Sequence, residues 1–219
     1  MQVVVGQAAL VGDFASYVEH FGALEVAWAT NSAPKASRLE RWRSQAPEGF
    51  VWSVVFPEAV AAIHELEPSA ERLAETFSVA ATLGAQWLLL KTPPAARPQT
   101  RVKERLKRFS ELVKESERQL VWEPSGLWEA RAAADLAEEL GVTLAVDLSR
   151  EAVEPSDVVY TRLRARGRAL GENQLLRLLE RLAGAEQAIV IVDGRGADQV
   201  QRWLREELQF SDDSEAASA

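Results

Sequence analysis

Short runs rich in β-branched and other apolar residues alternate with stretches of helical periodicity along the whole chain, and nothing else in the sequence constrains the fold so tightly. The strand-type runs are 2–6 (QVVVG), 23–29, 50–56, 85–91, 119–123, 142–147, 157–163 and 187–193. Helical patterns fill 15–22, 37–45, 68–84, 99–117, 127–141, 172–184 and 198–208, several of them closing on a glycine. Strands separated by helices must pair in parallel through crossovers, and eight such units suit a closed (β/α)8 TIM-barrel-like fold. An open doubly wound sheet of five or six strands would leave two of the eight unplaced. The segment 148–156 (LSREAVEPS) is too short for a full helix, so a weak or missing helix is expected after strand six. Residues 1–208 read as one compact domain. The acidic, apolar-poor stretch 209–219 reads as a disordered tail.

Composition removes several chemistries. The 219 residues contain no cysteine, which excludes disulfides, thiolate metal sites and a cysteine nucleophile. His20 and His64 are the only imidazoles, too few for a histidine-rich multinuclear metal centre. A net charge of −8 argues against a surface built to coat nucleic acid or an anionic membrane. The opening residues lack a basic signal-peptide region and no apolar run has membrane-spanning length, so a cytoplasmic protein with no membrane partner is expected. There is no G-x-S-x-G motif.

In a barrel of this kind chemistry collects at the C-terminal ends of the strands. Those ends carry Glu25, Lys91, Glu123, Asp147, Arg162 and Asp193 on otherwise apolar runs. Glu25, Glu123 and Asp147 are candidates for a carboxylate cluster, acting as general acid and base or holding Mg²⁺ or Mn²⁺. His64, in the loop after strand three, is a further catalytic candidate. Lys91, Arg162 and Arg164 are candidates for holding a phosphate or carboxylate, with Arg166 and Arg168 continuing the alternation if the strand runs that far. Asp193, Gly194 and Gly196, in DGRG before the last helix, add a possible anion site where barrels often bind phosphate. The basic helix 99–117 has acidic residues three and four positions away and reads as a solvated face. Most of the seven tryptophans are expected to fill the layer between barrel and helices.

The order of these motifs resembles the domain-of-unknown-function-72 family, the YecE-like proteins. Glu25, Pro34, Trp42, the Pro47-Glu48-Gly49-Phe50 turn and His64 follow the family order, as do LLLKTPP, VWEPSGLW and VVYTRL later in the chain. The resemblance implies a TIM-barrel-like fold with its site at the strand ends and supplies no reaction. It also exposes departures: GQAAL stands for a longer Gly/Ser-rich loop, Ala27 and Asn31 follow Glu25, Val55 stands near a usual Lys, Pro124 follows Glu123, and Asp193-Gly194 replaces an Asn pair. Three readings follow. The first is a ligand-binding or hydrolase-like barrel that takes a small anionic molecule, with or without a divalent metal. The second is a non-catalytic scaffold in which Glu–Arg and Asp–Lys pairs plug the mouth. The third, a metal-dependent nuclease-like enzyme, is opposed by the histidine count and the charge.

Overall fold

The computed structural model describes residues 1–28, 33–64, 69–153, 156–165 and 169–216, with side chains as far as Leu208. Eight strands pair in parallel and in sequence order, and β8 closes on β1, completing the (β/α)8 barrel. They are β1 (Gln2–Gln7), β2 (Ala23–Val26), β3 (Val51–Val55), β4 (Trp87–Lys91), β5 (Gln119–Glu123), β6 (Thr143–Val146), β7 (Val158–Arg164) and β8 (Gln187–Asp193). The helices are α1 (Phe14–Val18), α2 (Ala36–Gln45), α3 (Glu58–Ala61), α4 (Ala70–Leu83), α5 (Thr100–Glu115), α6 (Ala130–Leu140), α7 (Glu172–Leu182) and α8 (Ala197–Ala216). Two extents differ from the sequence reading. A single helical turn, α3, precedes the longer helix after β3, and α8 runs beyond the expected 198–208.

Strand alternation sorts the core into two clusters. Ala23, Val55, Trp87, Leu89, Val121, Tyr160 and Ile191 pack inside the barrel. Leu24, Trp52, Leu88, Leu90, Trp122 and Val190 face outward into the layer beneath the helices. Most strands carry a polar residue two positions after one of the inward set. By the two-residue period, Glu25, Ser53, Lys91, Glu123, Asp147, Arg162 and Asp193 therefore all point inward. In the β2–β3 register Ser53 stands directly beside Glu25. The same period places two tryptophans, Trp52 and Trp122, in the outer layer and Trp87 inside.

Gly6 is required by proximity: a Cβ there would meet the Ala23 carbonyl oxygen at 2.1 Å, so any side chain would push β1 off β2. The same junction is pinned by Tyr17, whose hydroxyl donates to the Ala23 carbonyl at 2.6 Å and accepts from the Gln7 amide at 2.9 Å. Gly84 ends α4 in the left-handed region (φ +70°), where its amide satisfies the Ala80 and Ala81 carbonyls.

Among the described residues no helix lies between β6 and β7, as the short connection implies. The outward residues of β2 to β5 are buried, but Leu144 and Val146 of β6 and Val159 of β7 are only half-buried. With Val142 and Val153 they line a groove of about 480 Å³ between α6 and α7. No helix among the described residues is long and apolar enough to cross a membrane.

Candidate functional site

Arg162, near the end of β7, organises the mouth of the barrel. Its Nε donates to Glu25 Oε1 at 2.8 Å and its Nη2 to Glu25 Oε2 at 3.0 Å, a two-pronged pair across the barrel. Its Nη1 donates to Glu123 Oε2 at 2.7 Å, and Nη2 also reaches Asp193 Oδ2 at 3.4 Å. Planar guanidinium geometry matches carboxylate edges, so these contacts fix orientation as well as charge. Glu25, Glu123 and Arg162 are all buried.

Beneath them, the Tyr160 hydroxyl lies 2.9 Å from both Glu25 Oε1 and Ser53 Oγ. The phenol donates to the carboxylate and accepts from the serine, which carries the polar network one layer deeper into the apolar interior. Sequence reasoning met Tyr160 only as part of the VVYTRL resemblance and named neither residue as a site candidate. The available signal was a polar residue in register with the inward set of an apolar strand: Ser53 between Val51 and Val55, Tyr160 two positions before Arg162.

Burial dominates the electrostatics. Desolvation pushes the Glu25 carboxyl above the ordinary carboxylate range, against the opposing pull of Arg162 and Tyr160. Desolvation likewise raises the Tyr160 phenol, helped by the Glu25 charge. Desolvation works against charge on Arg162, but Glu25 and Glu123 together overcome it and hold the guanidinium more firmly protonated than usual.

Above this floor lies a rim. Arg164, two residues further along β7, donates from Nη2 to Glu123 Oε1 at 2.7 Å, yet its side chain is 43% exposed. That hydrogen bond is the main cause of its raised pKa. Lys91 stands opposite Glu123 in the β4–β5 register, is exposed, and makes no ion pair among the described residues. Asp193 is half exposed. A cavity of about 200 Å³ opens here, walled by Ser125, Trp128, Asp147, Glu151 and Arg164.

The structure brings Glu25, Glu123, Arg162, Arg164 and Asp193 together and leaves other candidates apart. Asp147 does not join Glu25 and Glu123. It accepts from the Ser149 amide (3.1 Å), the Ser149 hydroxyl (2.5 Å) and the Arg164 amide (3.1 Å), and it pairs with Arg150 at 3.3 Å. The Asp-x-Ser spacing of 147–149 is the local signal for such a self-satisfied turn. His64 follows Ile63, whose carbonyl accepts from Arg105 of α5 at 2.6 Å, so its turn is anchored in the helix layer. Gly194 and Gly196 both adopt positive φ in the turn before α8. Arg166, Arg168 and Asn31 lie outside the described residues. Among the described residues, no three of the histidines and acidic side chains gather where a metal ion could be held.

The sequence matches the family described as protein of unknown function DUF72 over residues 11–213. No curated protein matches it. Among solved structures it is similar to a DUF72 family protein from Thermotoga maritima, with 15% identity and a TM-score of 0.71 over 94% of this chain and 100% of the other. A DUF72 family protein from Enterococcus faecalis V583 gives 14% identity and a TM-score of 0.71, covering 95% and 98%. An AP endonuclease, family 2, from Brucella melitensis gives 12% identity and a TM-score of 0.63, covering 94% and 98%. Identities this low show a shared fold alone.

Proposed function

The chain belongs to the DUF72 family of proteins of unknown function, and from the geometry of its barrel mouth we propose that it binds a small phosphate- or carboxylate-bearing molecule at the strand ends. One observation carries this reading. Arg164 is tethered through Glu123 to the buried floor yet keeps 43% of its side chain in solvent, and the exposed Lys91, opposite Glu123 in register, makes no ion pair among the described residues. Two solvent-facing cations flanking Glu123 offer charge-assisted donors without first breaking a buried pair. Arg162 then acts as a positioning residue, since its donors are committed to Glu25 and Glu123. Because those carboxylates are committed in turn, neither is free as a base or as a metal ligand in this arrangement. The nuclease-like reading draws no support from these residues.

The same saturation favours a second reading, in which the network is an ion-paired plug and the barrel a scaffold. Thermal unfolding across inorganic phosphate and malonate separates the two. A ligand that prefers the native state raises Tm in a saturable way, by the equivalent of about 2.7 kcal/mol at a hundredfold excess over Kd. The binding reading expects such a shift in the wild type and a smaller one in Lys91→Gln and Arg164→Gln. No shift, or a shift that neither variant reduces, overturns it, and the absence of any shift supports the scaffold.

A further inference from the structure

A second cavity, of about 490 Å³, opens between the ends of β1 and β2 and the start of α2. Its walls include Leu10, Trp28, Lys35, Arg38 and Trp42, with Glu25 at its inner edge. Three features of these walls leave positive charge or a donor without an acceptor. Lys35 and Arg38 are exposed, and among the described residues their side chains make no ion pair or hydrogen bond. Among the described residues the Trp28 indole Nε1 is a buried donor with no hydrogen-bond partner. Buried donors are rarely left unmet, because desolvation without a partner is costly. The start of α2 compounds the imbalance. Lys35 stands at its N-cap with no side-chain cap, and the first turn carries no acidic residue. Helix N-termini ordinarily favour Ser, Asp or Glu there, since the aligned peptide dipoles already place positive charge at that end.

The carboxylates nearby do not supply the missing acceptor. Glu25 is spent on Arg162 and Tyr160. Glu75 of α4 accepts from the Ala33 amide at 3.1 Å and from Arg72 at 3.0 Å. The remaining walls are flat and apolar, formed by Trp28, Trp42 and Leu10.

We propose that this cavity binds a phosphomonoester carrying a flat apolar group, with Lys35 and Arg38 on the phosphate and the tryptophans against the apolar part. Two cations match the dianion, and a tetrahedral group can take donors arriving from different directions. The site is separate from the Lys91–Arg164 rim and stands or falls independently of it.

Isothermal titration of the full chain with phenyl phosphate, inorganic phosphate and benzoate, at constant ionic strength, tests the assignment. Phenyl phosphate should bind most tightly, because it alone fills both halves of the cavity. Arg38→Gln and Lys35→Gln should each weaken it roughly tenfold, the loss of about one charge-assisted hydrogen bond. Trp28→Phe, which keeps the ring and removes the N–H, should weaken it by less. On a Lys91→Gln background, where the rim is disabled, the component that depends on Lys35 and Arg38 should persist. Both cations are exposed, so their variants are expected to unfold at the wild-type temperature. Three outcomes overturn the proposal: no saturable binding, binding unmoved by Lys35→Gln and Arg38→Gln, or benzoate binding as tightly as phenyl phosphate. Loss of binding in Lys91→Gln alone would move the anion to the barrel mouth.

Discussion

Arg162 and Arg164 lie two residues apart on one strand, point to the same side and hydrogen-bond to the same carboxylate, Glu123, at the same 2.7 Å. One side chain is 4% exposed and the other 43%. The contrast teaches that depth, more than residue type, divides the labour of this mouth. The lower guanidinium is surrounded by carboxylates and fixes their positions. The upper one shares a carboxylate with the floor and still faces solvent.

The most forceful way to break the comparison is to remove the lower cation. Arg162→Leu leaves Glu25 buried without a cation and Glu123 with only the half-exposed Arg164, and urea denaturation should show a loss of about 3–5 kcal/mol. A loss below about 1 kcal/mol would mean that the floor is not desolvated as described. Tyr160→Phe keeps the ring and removes the donor to Glu25, with an expected loss of about 1–3 kcal/mol by the same measurement.

Glu25→Gln sharpens the contrast through pH. The folded-state pKa of Glu25 lies above its unfolded value of about 4.3, so its contribution is fully present below that value and is lost as pH rises through the folded pKa. The stability of the wild type relative to Glu25→Gln should therefore fall as pH rises above about 4.3. A difference that moved the other way would show Arg162 overriding desolvation. The smallest effect belongs to the rim: Arg164→Gln should cost under about 1 kcal/mol, because a half-exposed pair is screened by water. If Arg164→Gln destabilised as much as Arg162→Leu, floor and rim would be one unit.

Much of this was legible in the residues. The alternation of apolar runs with helical stretches gave the closed barrel, and the short 148–156 segment gave its missing helix. Strand-end position picked out Glu25, Glu123 and Arg162, because a period of two and an inward neighbour suffice to aim a side chain. Which charge pairs with which was not legible. Arg162 chooses Glu25 across the barrel, 137 positions away in sequence, and that choice depends on strand stagger that no local pattern encodes. The partners of Asp147 were illegible for the opposite reason. A neighbour two residues on, Ser149, captures it locally, and strand-end reasoning overlooks so short a contact. The polar residues inside the apolar strands, Ser53 and Tyr160, were hidden because each run is mostly apolar and one hydroxyl scarcely changes its pattern.

The bare stretch of sheet between α6 and α7 has a consequence in time. Backbone amides exchange with solvent through local openings, whose free energy falls where few apolar contacts must be broken. Among the described residues no helix covers Leu144, Val146 and Val159 as helices seal the outward residues of β2 to β5. Deuterium should therefore enter β6 sooner than it enters β4 or β5. A barrel with no free edge thus still has a seam, and its slow breathing starts there.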